Sequence, residues 1–307
     1  MDQLHEPWSG TLAEARFQAF DDAWLEREYS PSSAIGGNYE PHVKGWAERS
    51  AAVREALTST SMLGVRYGKA IRNIIDVFPA PSTDGSCAPS LMFFHGGYWQ
   101  ESSSRDLSFP AAALNAAGIT YISVEYTLAP KATLTQIVDE ARQAVRFVVD
   151  NAAQFAVDPA RLVVGGHSAG AHLAALSFDA ALTIGETANE VGRPAPGLLL
   201  ISGIYELLPL LRTSINDAIA IQQDDLELLS PLRHHPGCTR AAIVWGENET
   251  SEFVWQSQKL HASLTTVRPT GSFAAIEVGD RNHFDVIFDL ADRASETFGS
   301  LIRLVGK

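Results

Sequence analysis

The sequence predicts an α/β fold with a mostly parallel central sheet covered by helices on both faces. From about residue 61 onward, short runs rich in β-branched and aromatic residues alternate with helical stretches. The runs are nearly continuous in apolar residues, which is typical of strands buried on both faces of a parallel sheet. Composition agrees: 46% of the 307 residues are hydrophobic and only 19% are charged, so a large core can form and wholesale disorder is excluded.

Seven strands are predicted within this alternation. They occupy residues 72–78, 91–94, 119–124, 162–164, 198–201, 241–245 and 274–278. The clearest helix between them covers residues 134–149, where apolar side chains recur on one face. The Ser-, Pro- and Gly-rich segment 79–90 is expected to be a surface loop between two strands.

The first sixty residues are predicted to be helical and different in character from the rest. Apolar residues recur at helical spacing and are expected on one helix face: Ala13, Phe17, Phe20 and Trp24. A second, looser stripe follows Pro41: Val43, Trp46, Ala47, Val53 and Leu57. These helices either pack on the core only or also cover an active site. Because the pattern changes near residue 61, we divide the chain into an N-terminal helical cap segment (residues 1–60) and a catalytic α/β domain (residues 61–307).

Charge and cysteine content exclude several classes of function. The 23 Lys and Arg residues against 36 Asp and Glu residues give a net charge of −13, which disfavours binding to nucleic acid or to an anionic membrane. No apolar run approaches the roughly 18 residues of a membrane span, and the acidic N-terminus lacks the features of a secretory signal. Cys87 and Cys238 form neither a zinc motif nor a disulfide framework. We expect a cytoplasmic protein without a metal site.

The most informative run is Gly-His-Ser-Ala-Gly at residues 166–170, which fits the pattern G-x-S-x-G. It lies directly after an apolar strand and directly before an Ala- and Leu-rich helix, the context of a nucleophile elbow. In so tight a turn Gly166 and Gly170 avoid clashes, and Ser168 is held in strained backbone with its hydroxyl exposed. The alternative is a glycine-rich turn that contains an incidental serine.

A candidate oxyanion hole follows the strand 91–94, in the run His-Gly-Gly-Tyr-Trp at residues 95–99. Acyl transfer develops negative charge on the carbonyl oxygen, which needs preorganised N–H donors. The glycine pair lets the backbone turn its amides toward the serine. We expect the amides of Gly97 and Ala169 to be the donors, with Gly96 or Tyr98 as a third.

The general base is expected in a loop after the last strand, because the order in this type of fold is serine, acid, histidine. Of the nine histidines, His283 is the one in that loop. His167 and His172 belong to the elbow and are expected to flank the serine, whereas His234 and His235 lie in a proline-bounded loop well before the last strand.

The acid is expected in the loop after the strand 241–245, which contains no aspartate. Glu249 is the first choice and Glu247 the second, with Asp280 and Asp225 as weaker alternatives. A glutamate suffices for this role, since the acid only holds the imidazole tautomer and stabilises the imidazolium.

The sequence resembles the kynurenine formamidases (arylformamidases), a family of the α/β-hydrolase fold. The resemblance extends over roughly residues 29–290. The runs that carry it are YSPS at 29–32, HGGYWQ at 95–100, APKATL at 129–134, GHSAGAHLA at 166–174, SGIYEL at 202–207, SP at 230–231, SEF at 251–253 with QS at 256–257, and NHF at 282–284.

The resemblance implies hydrolysis of the N-formyl group of an aryl formamide such as N-formylkynurenine, giving formate and an aryl amine without a metal. It places the nucleophile at Ser168 and the base at His283. The family's acid, an aspartate, falls on Glu249. In esterases related to hormone-sensitive lipase, the oxyanion-hole motif has a third glycine after the glycine pair. Tyr98 stands at that position in this sequence.

An aromatic leaving group needs an apolar pocket, for which Tyr98, Trp99 and Tyr205 are the candidates. For Trp99, packing in the core is the alternative.

Two other functions compete with formamide hydrolysis. One is a carboxylesterase of the hormone-sensitive-lipase type that acts on short-chain or aryl esters, or a related hydrolase of small amides or carbamates. The other is a non-catalytic receptor on a hydrolase scaffold, which competent side chains at all three catalytic positions disfavour. In both enzyme hypotheses the partner is a small-molecule amide or ester. The sequence does not distinguish a monomer from a homodimer.

Overall fold

A computed structural model describes residues 8–81, 85–177 and 196–306. Eight strands form one sheet in the order β1-β2-β4-β3-β5-β6-β7-β8. The strands are β1 Met62–Arg66, β2 Ile74–Phe78, β3 Ala88–Phe94, β4 Thr120–Val124, β5 Val157–His167, β6 Gly197–Ile201, β7 Arg240–Gly246 and β8 Ser272–Val278. Strands β3 to β8 run parallel, while β2 is antiparallel to both β1 and β4. The predicted mostly parallel sheet is confirmed.

Helices connect the strands. They are α1 Gly10–Phe17, α2 Asp22–Glu28, α3 Glu40–Leu57, α4 Ala111–Ala116, α5 Leu134–Asp150, α6 Ala169–Leu176, α7 Asn216–Ile219, α8 Leu226–Leu229, α9 Ser251–Val267 and α10 Glu296–Leu304. The predicted helix 134–149 is α5, which starts at a capping box formed by Thr133 and Gln136. Within the described ranges, no helix is both long enough and apolar enough to cross a membrane.

All seven predicted strands are present, but β1 was not predicted. This edge strand is short, mostly exposed and interrupted by Gly64 with a φ of 68°, so it carries little apolar signal. The segment 79–90 is only partly a loop, because β3 already begins at Ala88, opposite Val157 of β5. Residues 82–84 of that segment lie outside the described residues.

Two hydrophobic cores lie on opposite faces of the sheet. Side chains alternate along each strand, so Met92 and Phe94 enter one core while Leu91 and Phe93 enter the other. The first core also receives apolar side chains from α1, α2, α5, α6 and α9, and the second from α3, α4 and α10. Helices therefore cover both faces, as the apolar strands predict.

The N-terminal segment differs from its prediction in one respect. The prediction that Ala13, Phe17, Phe20 and Trp24 share one helix face is wrong. The Asp21 carboxylate accepts the Trp24 N–H at 2.8 Å and starts a new helix, so the stripe is divided. Ala13 and Phe17 are buried, while Phe20 stacks on Trp24 with ring centroids 3.8 Å apart. The second stripe forms α3 as predicted. Helices α1 and α2 thus pack on the first core, and α3 packs on the second.

A buried polar cluster attaches the N-terminal helices to α9. The Arg16 guanidinium contacts the Glu252 carboxylate at 2.7 Å and lies over the Trp255 ring at 4.0 Å. Tyr29 donates its hydroxyl hydrogen to Glu252 at 3.2 Å and accepts a hydrogen bond from Gln256 at 3.0 Å. Burial raises the pKa of Glu252, and the charge of Arg16 opposes that shift.

We expect Arg16→Met to lower the free energy of unfolding by about 3 kcal/mol at pH 8, because it leaves a buried carboxylate without its cation. Methionine keeps most of the apolar contact with Trp255. Loss of Arg16 raises the pKa of Glu252 further, so the folded state binds a proton more readily than the unfolded state. Stability of the variant therefore falls as pH rises, and its deficit shrinks between pH 8 and pH 5. Urea unfolding at both pH values measures this.

The matched control is Arg303→Met, which breaks the exposed Arg303–Glu296 pair of 3.3 Å. Its effect should stay within about 0.5 kcal/mol at both pH values. An Arg16→Met deficit that is equal at pH 5 and pH 8 would contradict the assigned role of Glu252.

Candidate active site

The turn between β5 and α6 is strained at Ser168, whose φ is 56° and ψ −122°. Its N–H donates to the Ile201 carbonyl at 2.8 Å. A Cβ at Gly166 would lie 2.2 Å from the Gly170 carbonyl carbon, and one at Gly170 would lie 2.1 Å from the Phe94 oxygen. Only glycine fits at either position, so the local geometry is that of the predicted elbow.

The His283 imidazole is paired with Glu249. Nδ1 of His283 lies 2.9 Å from Oε2 of Glu249, and both side chains are at most 4% exposed. Oε1 of Glu249 accepts hydrogen bonds from Ser202 Oγ at 2.5 Å and from the Gly246 N–H at 2.6 Å. Because an ionised carboxylate only accepts, Nδ1 carries the proton and Nε2 is left free to accept one.

The other acid candidates lie elsewhere. Glu247 is exposed and accepts the Asp280 N–H at 2.9 Å. Asp225 accepts the Gln222 N–H at 2.8 Å. Among the described residues, Glu249 is thus the carboxylate that the fold brings to His283.

The loop after β7, which contains Glu249, and the loop after β8, which contains His283, are joined through their backbones. The Glu247 N–H donates to the Val278 carbonyl at 2.9 Å, and the Asn248 N–H donates to the Arg281 carbonyl at 2.8 Å. The approach is so close that a Cβ at Gly246 would lie 2.4 Å from the Arg281 oxygen. The two loops therefore form one unit, which fixes Glu249 relative to His283.

The two elbow histidines bond to backbone carbonyls. Nε2 of His167 donates to the His283 carbonyl at 2.8 Å, and Nε2 of His172 donates to the Leu229 carbonyl at 2.8 Å. Burial, reinforced by the neighbouring His283, holds the pKa of His167 well below its usual value, and burial lowers the pKa of His172 to about 4. Both rings are therefore neutral supports, and His167 holds the backbone at His283.

The run 95–99 forms a tight loop beside the elbow. Gly97 has a φ of 98°, and the next two residues, Tyr98 and Trp99, also have positive φ. A Cβ at Gly97 would lie 2.4 Å from a backbone oxygen, so this position requires glycine. Gly96, Gly97 and Tyr98 line the same cavity as Ser168, while Ala169 is buried at the start of α6.

An ion-pair network under this loop was not predicted from the sequence. His95 Nε2 lies 3.1 Å from a Glu125 oxygen that also pairs with Arg72 at 2.6 Å, and Arg72 donates to the Ser102 carbonyl at 3.0 Å. Burial alone would raise the pKa of Glu125, but His95 and Arg72 bring it below its usual value. The available signal was a charged residue directly after the apolar strand β4.

A cavity of about 320 Å³ contains both Ser168 and His283 in its wall. A large part of the lining comes from the N-terminal segment. These residues are Glu26, Tyr29, Ser30, Pro31, Ser32, Tyr39, Val43 and Trp46. The connection between α2 and α3 therefore passes over the carboxyl ends of the strands and covers the serine.

One wall of the cavity is aromatic. The Tyr39 ring stacks on Phe284 with centroids 5.4 Å apart, and the Trp46 ring stacks on the same residue at 6.3 Å. Trp46 Nε1 also donates to the Phe284 carbonyl at 3.0 Å. Tyr39 and Phe284 were not predicted to line the pocket, although Phe284 directly follows His283. Trp46 belongs to the stripe for which covering an active site was one of the two alternatives.

Two of the three predicted pocket residues lie elsewhere. Tyr98 lines the cavity and donates its hydroxyl hydrogen to the Tyr29 carbonyl. Trp99 is fully buried in the first core, where it packs edge-on against His172 at 4.9 Å. Tyr205 is also fully buried, because its ring folds back over Gly203, which has no side chain to obstruct it. The expectation that Trp99 and Tyr205 line the pocket is corrected accordingly.

Metal-ligating residues are not grouped anywhere in the described part of the chain: no three His, Cys, Asp or Glu side chains are arranged to hold an ion. Cys87 is exposed, Cys238 is buried, and both are free thiols.

The chain is similar to known hydrolases. The family described as BD-FAE matches residues 75–189. The kynurenine formamidase of Danio rerio is 30% identical over 294 residues, which cover 92% of this chain and 96% of the relative. Esterase LipQ of Mycobacterium tuberculosis is 32% identical over 155 residues, or 50% of this chain and 34% of the relative.

Similarity also extends to solved structures. A crystal structure of a protein from Silicibacter sp. tm1040 superposes with a TM-score of 0.75 and 26% identity, covering 90% of this chain and 98% of that one. Together with the mostly parallel sheet and the strained elbow, these similarities make the chain a serine hydrolase of the α/β-hydrolase fold. Because the identity to the Danio rerio enzyme extends over nearly the full length of both proteins, the chain belongs to the kynurenine formamidase family.

Proposed function

We propose that the protein hydrolyses the N-formyl group of an aryl formamide, such as N-formylkynurenine, to formate and an aryl amine. In this proposal Ser168 is the nucleophile, His283 the general base and Glu249 the acid that orients it. The observation that carries it is the 2.9 Å Glu249–His283 pair, with the imidazole in the same cavity wall as the strained Ser168. The name of the Danio rerio relative supports the substrate class.

In the first half-reaction, Ser168 Oγ adds to the formyl carbon while Nε2 of His283 takes the hydroxyl proton. The Glu249 carboxylate stabilises the resulting imidazolium through Nδ1. The amides of Gly97 and Ala169 donate to the developing oxyanion, with Gly96 or Tyr98 as a further donor. The C–N bond then breaks, and the imidazolium gives its proton to the leaving amine.

In the second half-reaction, water replaces the amine. His283 Nε2 takes a proton from the water as its oxygen adds to the formyl carbon of the formyl-serine. Collapse of the second tetrahedral intermediate breaks the ester bond to Ser168 and releases formic acid, which loses its proton to solvent to give formate. The imidazolium returns its proton to the serine oxygen, so the enzyme ends in its starting state.

The pocket suits a small aromatic substrate. A volume of about 320 Å³ is at the low end for ligand sites. The stacked rings of Tyr39, Trp46 and Phe284 offer an apolar wall for an aryl leaving group. Because a formyl group offers little binding surface, the leaving group supplies most of the binding energy.

The same proposal assigns residues 1–60 as the cap segment and residues 61–307 as the catalytic domain. The lining residues between positions 26 and 46 support this division. We further propose that the enzyme is cytoplasmic. For its assembly, we propose a homodimer.

Ser168→Ala is expected to lower kcat for formanilide hydrolysis by about 1000-fold or more, because the attacking oxygen is lost. A fluorophosphonate probe should label the wild-type protein at Ser168 and leave the variant unlabelled. More than a few per cent of residual activity would reject Ser168 as the nucleophile. Wild-type protein that takes no label would instead favour the receptor hypothesis.

Glu249→Gln should lower kcat by about 100-fold or more, because the amide that replaces the carboxylate no longer enforces the Nδ1–H tautomer. Glu247→Gln is the matched control: the same chemical change in the same loop should cost less than about threefold. Steady-state kinetics on one formanilide substrate compares the two. A larger loss from Glu247→Gln would transfer the acid role to Glu247.

The similarity to esterase LipQ makes an ester hydrolase the second candidate. If the enzyme is a formamidase, kcat/KM for N-formylkynurenine should exceed that for p-nitrophenyl acetate by about tenfold or more, despite the better leaving group of the ester. The matched control compares kcat/KM for formanilide with kcat/KM for acetanilide, because these two substrates differ only by one methyl group on the acyl side. A preference for p-nitrophenyl acetate would favour the carboxylesterase.

A further inference from the structure

The side chain of Tyr98 connects two parts of the chain that meet over Ser168. Tyr98 belongs to the oxyanion loop (residues 95–99), and its hydroxyl group donates to the carbonyl of Tyr29 in the N-terminal segment. We propose that Tyr98 is a positioning residue: through this hydrogen bond, the N-terminal segment holds the oxyanion loop in the orientation that the reaction requires. This inference rests on the proposed function and adds a residue to it.

The oxyanion loop needs support because its backbone is in a rare conformation. Gly97, Tyr98 and Trp99 have φ values of 98°, 47° and 59°, and such values at non-glycine residues persist only where surrounding contacts hold them. The Gly97 carbonyl accepts the N–H groups of Gln100 at 2.9 Å and Glu101 at 3.0 Å. Its N–H finds no acceptor in the described part of the chain. The direction of this amide therefore depends on how the loop is anchored.

Three contacts anchor the oxyanion loop. At its start, His95 lies 3.1 Å from the Glu125 carboxylate. At its end, Trp99 is fully buried, and its carbonyl accepts the Ala129 N–H at 2.8 Å. The third contact is the Tyr98 hydroxyl bond to the N-terminal segment. It holds the middle of the loop, directly after the glycine whose amide is the proposed donor to the oxyanion.

The acceptor of this third hydrogen bond, Tyr29, is itself fixed. It directly follows α2, is fully buried, and donates its own hydroxyl hydrogen to Glu252 of α9 at 3.2 Å. The residue before it, Glu28, binds the start of the same helix. Its carbonyl accepts the Thr250 hydroxyl hydrogen at 2.6 Å, and its carboxylate accepts the Ser251 N–H at 3.0 Å. The N-terminal segment is therefore attached firmly to α9.

Helix α9 in turn contacts the residues that carry the acid and base roles. Thr250 directly follows Glu249 in the chain, and the Phe253 ring packs edge-on against the His283 ring with centroids 4.5 Å apart. The Tyr98 hydroxyl thus connects the oxyanion loop to the elements that hold this pair. An oxyanion donor contributes only within about 3 Å of the oxygen. Loss of the connection should therefore slow the reaction without weakening substrate binding.

The Tyr98 hydroxyl is used as a donor within the protein. Burial, reinforced by the negative charge of Glu26, raises the pKa of Tyr98 well above its usual value, so the hydroxyl stays protonated. Its single hydrogen is engaged by the Tyr29 carbonyl and does not reach a substrate. The residue also lines the cavity. Replacement by phenylalanine therefore removes the hydrogen bond and keeps the wall.

Tyr98→Phe should lower kcat for formanilide by about 10- to 30-fold, which is less than the loss of an oxyanion donor itself, and change KM by less than about twofold. The rate constant of fluorophosphonate labelling should fall by a similar factor, because that reaction also develops negative charge on an oxygen in the oxyanion hole. The pH at which kcat/KM falls on the acid side should stay the same, since the His283 base is unchanged.

Tyr121→Phe is the matched control. Tyr121 is also fully buried and donates its hydroxyl hydrogen to a backbone carbonyl, that of Leu107, at 2.6 Å. It lies in the second core and does not line the cavity. Both variants should lose a similar part of their free energy of unfolding in urea, whereas Tyr121→Phe should change kcat by less than about twofold. The comparison separates loss of a buried hydrogen bond from loss of loop orientation.

A double-mutant cycle tests the part played by the N-terminal segment. Glu28→Ala removes the carboxylate contact with Ser251 and should lower kcat by about threefold in the wild-type background. If the segment acts through the Tyr98 hydroxyl, the same change should have less than about a 1.5-fold effect in the Tyr98→Phe background. Full additivity of the two effects would overturn the assigned role of the segment.

The possible outcomes separate the inference from the proposed function. A Tyr98→Phe variant with the kcat of the wild type, or with no greater loss than Tyr121→Phe, would overturn the inference. A raised KM at unchanged kcat would also overturn it, because the hydroxyl would then act in substrate binding. Both results leave formamide hydrolysis intact. If the wild-type enzyme neither hydrolyses formanilide nor takes the fluorophosphonate label, the proposed function itself fails.

Discussion

The Glu249 carboxylate ties together the ends of three strands. Its two oxygens contact His283 after β8, Ser202 after β6 and the Gly246 amide at the end of β7. A fully buried carboxylate is costly unless such partners satisfy it. The three partners come together because β6, β7 and β8 are adjacent and parallel, so their carboxyl ends meet at one edge. The order of strands in the sheet is therefore a requirement for the site.

The sequence predicts the parts of the site that depend on local pattern. The elbow at Ser168 and the position of His283 follow from short motifs next to apolar strands, and both can be identified without knowing what packs against them. The aromatic wall and the Glu125 network depend on contacts between residues far apart in the chain, such as Tyr39 with Phe284. Periodicity contains no information about these pairs, so a single sequence does not reveal them.

The corrected positions of Trp99 and Tyr205 show the same limit on a smaller scale. Both aromatic residues follow a motif that suggests a pocket, yet both are turned into the first core. The backbone has a positive φ at Tyr98 and at Trp99 itself, and the Tyr205 ring folds back over Gly203. A one-residue change of backbone direction decides whether a ring faces a ligand or the interior, and residue type alone does not encode it.

The site also accommodates a glutamate where the family that the sequence resembles has an aspartate. A glutamate is one methylene longer, so an extended side chain would overshoot the imidazole. In this loop the carboxylate instead folds back and accepts the Gly246 N–H three residues earlier, at 2.6 Å. That local hydrogen bond takes up the extra length, while Ser202 fixes the same oxygen from the neighbouring strand. The second oxygen is left 2.9 Å from His283, which is the distance that an orienting acid requires.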